Sequence, residues 1–94
     1  MLRFEWDEQK NKSNRRKHGI WFEEAQSVFD DPAGHLFYDP EHSEDEERFV
    51  LLGMSSGART LVVVHCYRTS ESLVRIISAR KASKKELRFY EEGI

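Results

Sequence analysis

The sequence predicts an α+β domain in which an antiparallel meander sheet carries N-terminal helices and a C-terminal helix. Three observations point there. Residues 48–53, 59–68 and 73–80 are apolar runs separated only by short turns, at Ser55-Ser56-Gly57 and Thr69-Ser70-Glu71-Ser72. Connections that short imply consecutive antiparallel pairing. Helix signals lie on either side of these runs: Asp7 and Gly19 bracket residues 8–18 as N-cap and C′ residue, and Ser83-Lys84-Lys85-Glu86 is a capping box. At 94 residues the chain is expected to form one domain, residues 1–94.

Taken in order, Leu2-Arg3-Phe4-Glu5-Trp6 alternates apolar and charged residues, as a half-buried strand does. The helix expected over 8–18 contains no apolar side chain, and a helix polar all round needs tertiary contacts to hold it. Lys10, Asn14, Lys17 and His18 fall at i, i+4, i+7 and i+8, on one face. Either their stems and amide pack on the fold, or that face meets an anionic partner. Phe22, Ala25, Val28 and Phe29 form the stripe of an ordinary amphipathic helix, stopped by Asp31-Pro32. Residues 35–38 suit a short strand before an acidic loop, 39–47. In the last helix Ala82 and Leu87 occupy staple positions, with Leu87 and Tyr90 on the inner face. The order is β-α-α-β-β-β-β-α, with helices expected on one face of the sheet.

Net charge is −2, from 15 Lys+Arg against 17 Asp+Glu, and it hides segregation. Residues 31–50 carry one basic side chain, Arg48, and seven acids, whereas 51–94 carry eight basic and four acidic. Residues 10–18 hold five Lys/Arg and no acid. Such clusters neutralise phosphates even on an acidic protein, because salt screens charges over ~8–10 Å. The plain alternative is a solvated helix surface. The single Cys66 excludes an intrachain disulfide framework and a Cys-rich zinc site. Histidines 18, 35, 42 and 65 lack metal-ligand spacing, and no Gly-rich phosphate loop or nucleophile elbow is present. No metal and no cofactor are therefore expected. Asp39, Glu41 and His42 offer donors to a divalent cation, but a solvated acidic loop is the commoner use. No apolar run approaches the ~18–20 residues that span a bilayer, so no membrane is expected. The N-terminus lacks the apolar core of a signal peptide, and a reducing, cytoplasmic setting fits best.

Regular alternation places Arg75, Ile77, Ala79 and Lys81 on one face of the last strand, and Val74, Ile76, Ser78 and Arg80 on the other. Arg75 and Arg80 then meet one phosphate only if a bulge or the strand end redirects one of them. In the preceding strand Leu61, Val63, His65 and Tyr67 oppose Val62, Val64, Cys66 and Arg68. An arginine in an apolar strand needs a partner, either a carboxylate such as Glu47 or a ligand phosphate. His65 is either a structural histidine or a general acid or base. Cys66 reads as inert packing.

Several strings, in order, carry a resemblance. They are Trp6-Asp7-x-x-Lys10-x-x-x-Asn14-x-x-Lys17-His18-Gly19-Ile20, Phe22-Glu23-Glu24-Ala25, and His42-Ser43-x-x-Glu46-Glu47-Arg48-Phe49. Val63-Val64-His65-x-x-Arg68 and Arg75-Ile-Ile-Ser78-Ala-Arg80-Lys81-Ala82-x-x-x-Glu86-x-x-x-Tyr90 follow. Together they resemble the BrnT toxin family of bacterial type II toxin–antitoxin systems. The resemblance implies a RelE-like ribonuclease fold and a small RNase that inhibits translation without a metal. It also implies a BrnA-type ribbon-helix-helix antitoxin, through which the pair would bind operator DNA and repress its own operon. For attack of the RNA 2′-OH on its adjacent phosphate, the candidates are Arg75, Arg80 and Lys81 for the phosphate and Glu47 or His65 as base. Lys10, Asn14, Lys17, His18, Arg48 and Arg68 are candidates for contact with the RNA backbone. Two other readings use the same residues: a catalytically silent module that binds protein or nucleic acid, and a structural partner for an acidic protein.

Overall fold

A computed structural model describes residues 1–42 and 46–93. The chain runs β1 (Arg3–Glu5), α1 (Glu8–His18), α2 (Phe22–Ser27), β2 (His35–Asp39), β3 (Arg48–Met54), β4 (Thr60–Tyr67), β5 (Leu73–Lys81) and α3 (Lys84–Glu92). Single 3₁₀ turns at Val28–Asp30 and Pro40–His42 follow α2 and β2. The part of the expected acidic loop at 43–45 lies outside the described residues.

β2, β3, β4 and β5 form the expected antiparallel meander. Two features depart from the sequence reading. β1 pairs in parallel with β5, giving the order β1-β5-β4-β3-β2 in a mixed sheet. The helices also divide between the two faces. α1 and α2 cover the face that bears Leu51, Leu61, Val63, Val74, Ile76 and Ala79, which pack with Ile20, Phe22, Ala25 and Val28 into the core. α3 lies across the opposite face, above Leu52 and Val62. An amphipathic helix declares that it will be buried, but not against which side of a two-sided sheet.

The polar helix α1 is held by two amides. Asn11 is fully buried and accepts from the Phe22 N–H at 2.7 Å, while its Nδ2 donates to Glu8 and Glu23. Asn14 donates through Nδ2 to the carbonyls of Ile20 (2.9 Å) and Ala79 (2.8 Å), and its Oδ1 accepts from the Ala79 N–H at 3.0 Å. β1 pairs with β5 only over residues 73–75, so beyond Arg75 the β5 edge has no neighbouring strand. Asn14 takes that place, satisfying both backbone groups of Ala79, as buried peptide groups require.

Directly before this clamp β5 bulges. His65 pairs with Ile76 and Val64 with Ser78, leaving Ile77 without a partner on β4. One extra residue reverses the alternation beyond it. Val74 and Ile76 face the core before the bulge, and Ala79 faces it after. Arg75, Ser78 and Arg80 therefore share the opposite face. The expectation that Arg75 and Arg80 diverge holds only for a regular strand.

Asn14→Ala leaves a buried N–H and two carbonyls without partners. It is expected to lower unfolding stability by about 2–4 kcal/mol. Urea denaturation followed by circular dichroism measures this; a loss below ~0.5 kcal/mol would contradict the clamp.

Candidate functional site

Among the described residues, the face that carries α3 is only half covered, and its open half bears a mainly charged row one residue deep across all five strands. In register, Glu5 lies beside Arg75, Arg75 beside Cys66, Cys66 beside Arg48, and Arg48 beside Asp39. Neighbours in such a row point to the same side. Arg68, just past β4, and Glu46, just before β3, close the row from its end. Arg75 donates through Nη1 to Glu5 Oε2 at 3.1 Å, and Arg68 Nε lies 3.9 Å from the same oxygen. Arg68 Nη1 is 3.5 Å from Glu46 Oε2. The Arg68 side chain remains 46% exposed and that of Arg75 30%, so both pairs are open to solvent. Cys66 is buried beneath them. Burial first, and then the charge and hydrogen bond of Glu46, push its thiol above the ordinary range. This makes it a poor nucleophile at neutral pH.

One row inward the face turns apolar: Ser78, Val64, Val50 and Phe37. The next row is Arg80, Val62, Leu52 and His35. Between these rows and α3 lies a groove of about 390 Å³. Phe89 of α3 stands with its ring centroid 5.7 Å from Phe37 and 5.1 Å from His35. α3 is latched at two points. Arg80 grips Glu86 through both nitrogens, at 2.8 and 2.9 Å, and Glu86 completes the expected capping box with Ser83. That fork, more than any other partner, draws the Glu86 carboxyl down to about 2. Tyr90 donates to Asp31 Oδ2 at 2.6 Å, and Asp31 also accepts from the Met54 N–H at 2.7 Å.

The candidate residues separate accordingly. Arg48, Arg68 and Arg75 come together in the charged row. Arg80 shares their face but stands four residues further along the sheet, about 13 Å by strand rise. Lys81 points to the other side at the far end of β5, beside Arg59 and Leu87. Lys10, Lys17 and His18 line a depression of about 190 Å³ where α1 meets Ile77 and Ser78, and thus flank the open face around the β5 edge. Asn14 forms its buried wall. Glu47 is exposed beside Arg48. His65 is 0% exposed, on the core face among Phe29, Phe49 and Tyr67. Its Nδ1 lies 3.2 Å from the Val63 carbonyl, and burial lowers its pKa below the ordinary 6.5. That surrounding is the core of the fold and offers no route to a substrate. Glu5 and Glu46 were not expected at the site: their partners are distant in sequence, and only the strand register brings them there. Among the described residues, no three His, Cys, Asp or Glu side chains come together as metal ligands.

Fold and site thus define a small α+β protein with one sheet face left open and lined by guanidinium groups. The family described as the ribonuclease toxin BrnT of type II toxin–antitoxin systems matches residues 6–86. The chain therefore belongs to the BrnT family of ribonuclease toxins. A search of curated proteins found no match. Among solved structures, the Brucella abortus ribonuclease toxin BrnT is similar with a TM-score of 0.67 and 23% identity, over 89% of this chain and 100% of that one. At that identity the likeness speaks for the fold.

A buried neutral histidine whose folded pKa is depressed contributes stability above its unfolded pKa, and that contribution is lost as pH falls through the folded value. Thermal stability is expected to decline as pH drops below about 6.5, and His65→Phe is expected to flatten that decline. Melting temperatures of both proteins between pH 7.5 and 5 test this. Parallel curves would contradict the assignment of the decline to His65.

Proposed function

We propose that this toxin cleaves RNA on the open sheet face by transesterification, without a metal. The row of Arg48, Arg68 and Arg75 supports this reading, because Arg68 and Arg75 share the Glu5 carboxylate and the register sets Arg48 one strand beyond Cys66, a set of guanidinium groups that can grip phosphoryl oxygens bidentately. The RNA 2′-oxygen loses its proton to a carboxylate and forms a bond to the adjacent phosphorus. The phosphorus–O5′ bond breaks, O5′ takes a proton from solvent at the open face, and a 2′,3′-cyclic phosphate and a 5′-hydroxyl remain. Glu46 is assigned the base in preference to Glu47, because its carboxylate already stands 3.5 Å from Arg68. The arginines neutralise charge developing on the phosphorane, a contribution of several kcal/mol when such groups are preorganised. Lys10, Lys17 and His18 extend the cationic track for the strand beyond the cut. Arg80, locked to Glu86, is assigned to holding α3 rather than to the scissile phosphate.

The partner is proposed to be a BrnA-type ribbon-helix-helix antitoxin that neutralises the nuclease and carries the pair to operator DNA. Cleavage is proposed to inhibit translation in the cytoplasm. One observation favours the silent-module reading: Arg75 and Arg68 each have an internal acid, Glu5 or Glu46, so each is already partly neutralised.

Cleavage of a short fluorescent RNA separates the two. The wild-type protein is expected to cut it in excess EDTA and leave a cyclic phosphate end. Arg75→Ala and Glu46→Gln are expected to lower kcat/KM by about 10²-fold with the fold intact, and Glu47→Gln by less than threefold. Wild-type protein that binds RNA but never cuts it would establish the silent module. An inert Glu47→Gln beside an active Glu46→Gln would move the base to Glu47.

A further inference from the structure

The apolar groove beneath α3 has no role in cleavage chemistry, and it lies across the sheet from the main core, with only Leu52 and Val62 at its base buried. Phe37 is 43% exposed there, and Val50 and Val64 are only half buried. The groove's surroundings indicate an occupant. On one side stands the charged row, and Val50 is two residues along β3 from Arg48, about 6.8 Å by strand rise. That is the reach from a phosphate across its sugar to a base. On the other side stands Lys85 at the start of α3, while Arg80 at the end of its row is already forked to Glu86, which also lines the groove. Charged row and apolar floor thus follow one another along the face, as phosphate and base do within one nucleotide. Two aromatic rings border the floor: Phe37 and Phe89 touch, with centroids 5.7 Å apart and planes inclined at 56°, so a base stacks on their open side and not between them. Every base offers a π-face to such rings, whatever its hydrogen-bonding edge. At about 390 Å³ the groove lies at the small end of ligand pockets, suited to one flat ring system.

We infer that the groove between α3 and the sheet is a base-binding subsite, in which Phe37 and Phe89 hold the nucleobase next to the scissile phosphate. This deepens the ribonuclease reading and rests on it for the position of the phosphate. Occupation of the groove sets which phosphate lies over the arginine row, so Phe37 and Phe89 act as positioning residues that select the cleavage site.

The test uses the full chain and two matched oligonucleotides of one sequence, intact or abasic at the nucleotide beside the cut. Ribo versions report cleavage, and 2′-O-methyl versions, which lack the attacking hydroxyl, report binding. For wild-type protein, removing that base is expected to weaken binding about 5- to 50-fold and to lower kcat/KM by a similar factor. Phe37→Ala is expected to produce the same loss on the intact strand and no further loss on the abasic one. Phe89→Ala provides a second variant should α3 shift in the first. Losses that multiply, or unchanged binding and cleavage in both variants, would overturn the subsite. So would unchanged cleavage accompanied by lost neutralisation by the antitoxin, which would give the groove to the protein partner instead. If wild-type protein cuts no RNA, the ribonuclease reading fails, while the binding measurements on the 2′-O-methyl strands still decide for or against the groove.

Discussion

The structure depends on how β5 is held where its neighbouring strand ends. Asn14 stands in for the missing strand and bonds both backbone groups of Ala79, directly after the bulge at Ile77. Clamp and bulge together set the facing of the rest of the strand. Ala79 enters the core, and Ser78 and Arg80 turn to the open side with Arg75. A buried amide that meets three backbone groups is worth more than an apolar residue at this position, because no aliphatic side chain could satisfy the β5 edge. This explains why an eleven-residue helix with no apolar side chain docks stably.

The two faces of the sheet have divided the work. The face under α1 and α2 takes up nearly all the aliphatic burial, and even its histidine is used as packing. The other face gathers the charge. Arginines would be costly in an apolar sheet, but Arg68 and Arg75 lie at the open end of the row, partly exposed and bridged by Glu5 and Glu46. A bridging carboxylate keeps an arginine in place and leaves its remaining N–H donors to a phosphodiester. α3 is held mainly by the Arg80–Glu86 fork, Tyr90 and one aromatic cluster, and it limits the open face without filling it.

Much of this was legible in the residues. Short turns between apolar runs dictated the meander of β3 to β5, and the cap at Ser83 and the αL glycine at 19 marked helix ends that the structure reproduces. What could not be read was non-local. A three-residue strand does not reveal that its partner lies 70 residues away and runs parallel. No glycine or proline marks the bulge at Ile77, so period-two reasoning misplaced Arg80 relative to Arg75. The stripe of Lys10, Asn14, Lys17 and His18 was a true helix face, but one of its members faces inward and three face solvent. Glu5 and Glu46 entered the site only through register, which sequence spacing does not contain.

The central claim is that the half-covered sheet face, organised by the β5 bulge, is where RNA is gripped. Side-chain Nε–Hε resonances of the arginines, followed by NMR during titration with a 2′-O-methyl oligonucleotide, test it most directly. Saturable shifts at Arg48, Arg68 and Arg75, with those of Arg3 and Arg88 unmoved, are the expected result. Shifts confined to Arg15 and Arg16 on α1, with the β-sheet arginines unmoved, would contradict it.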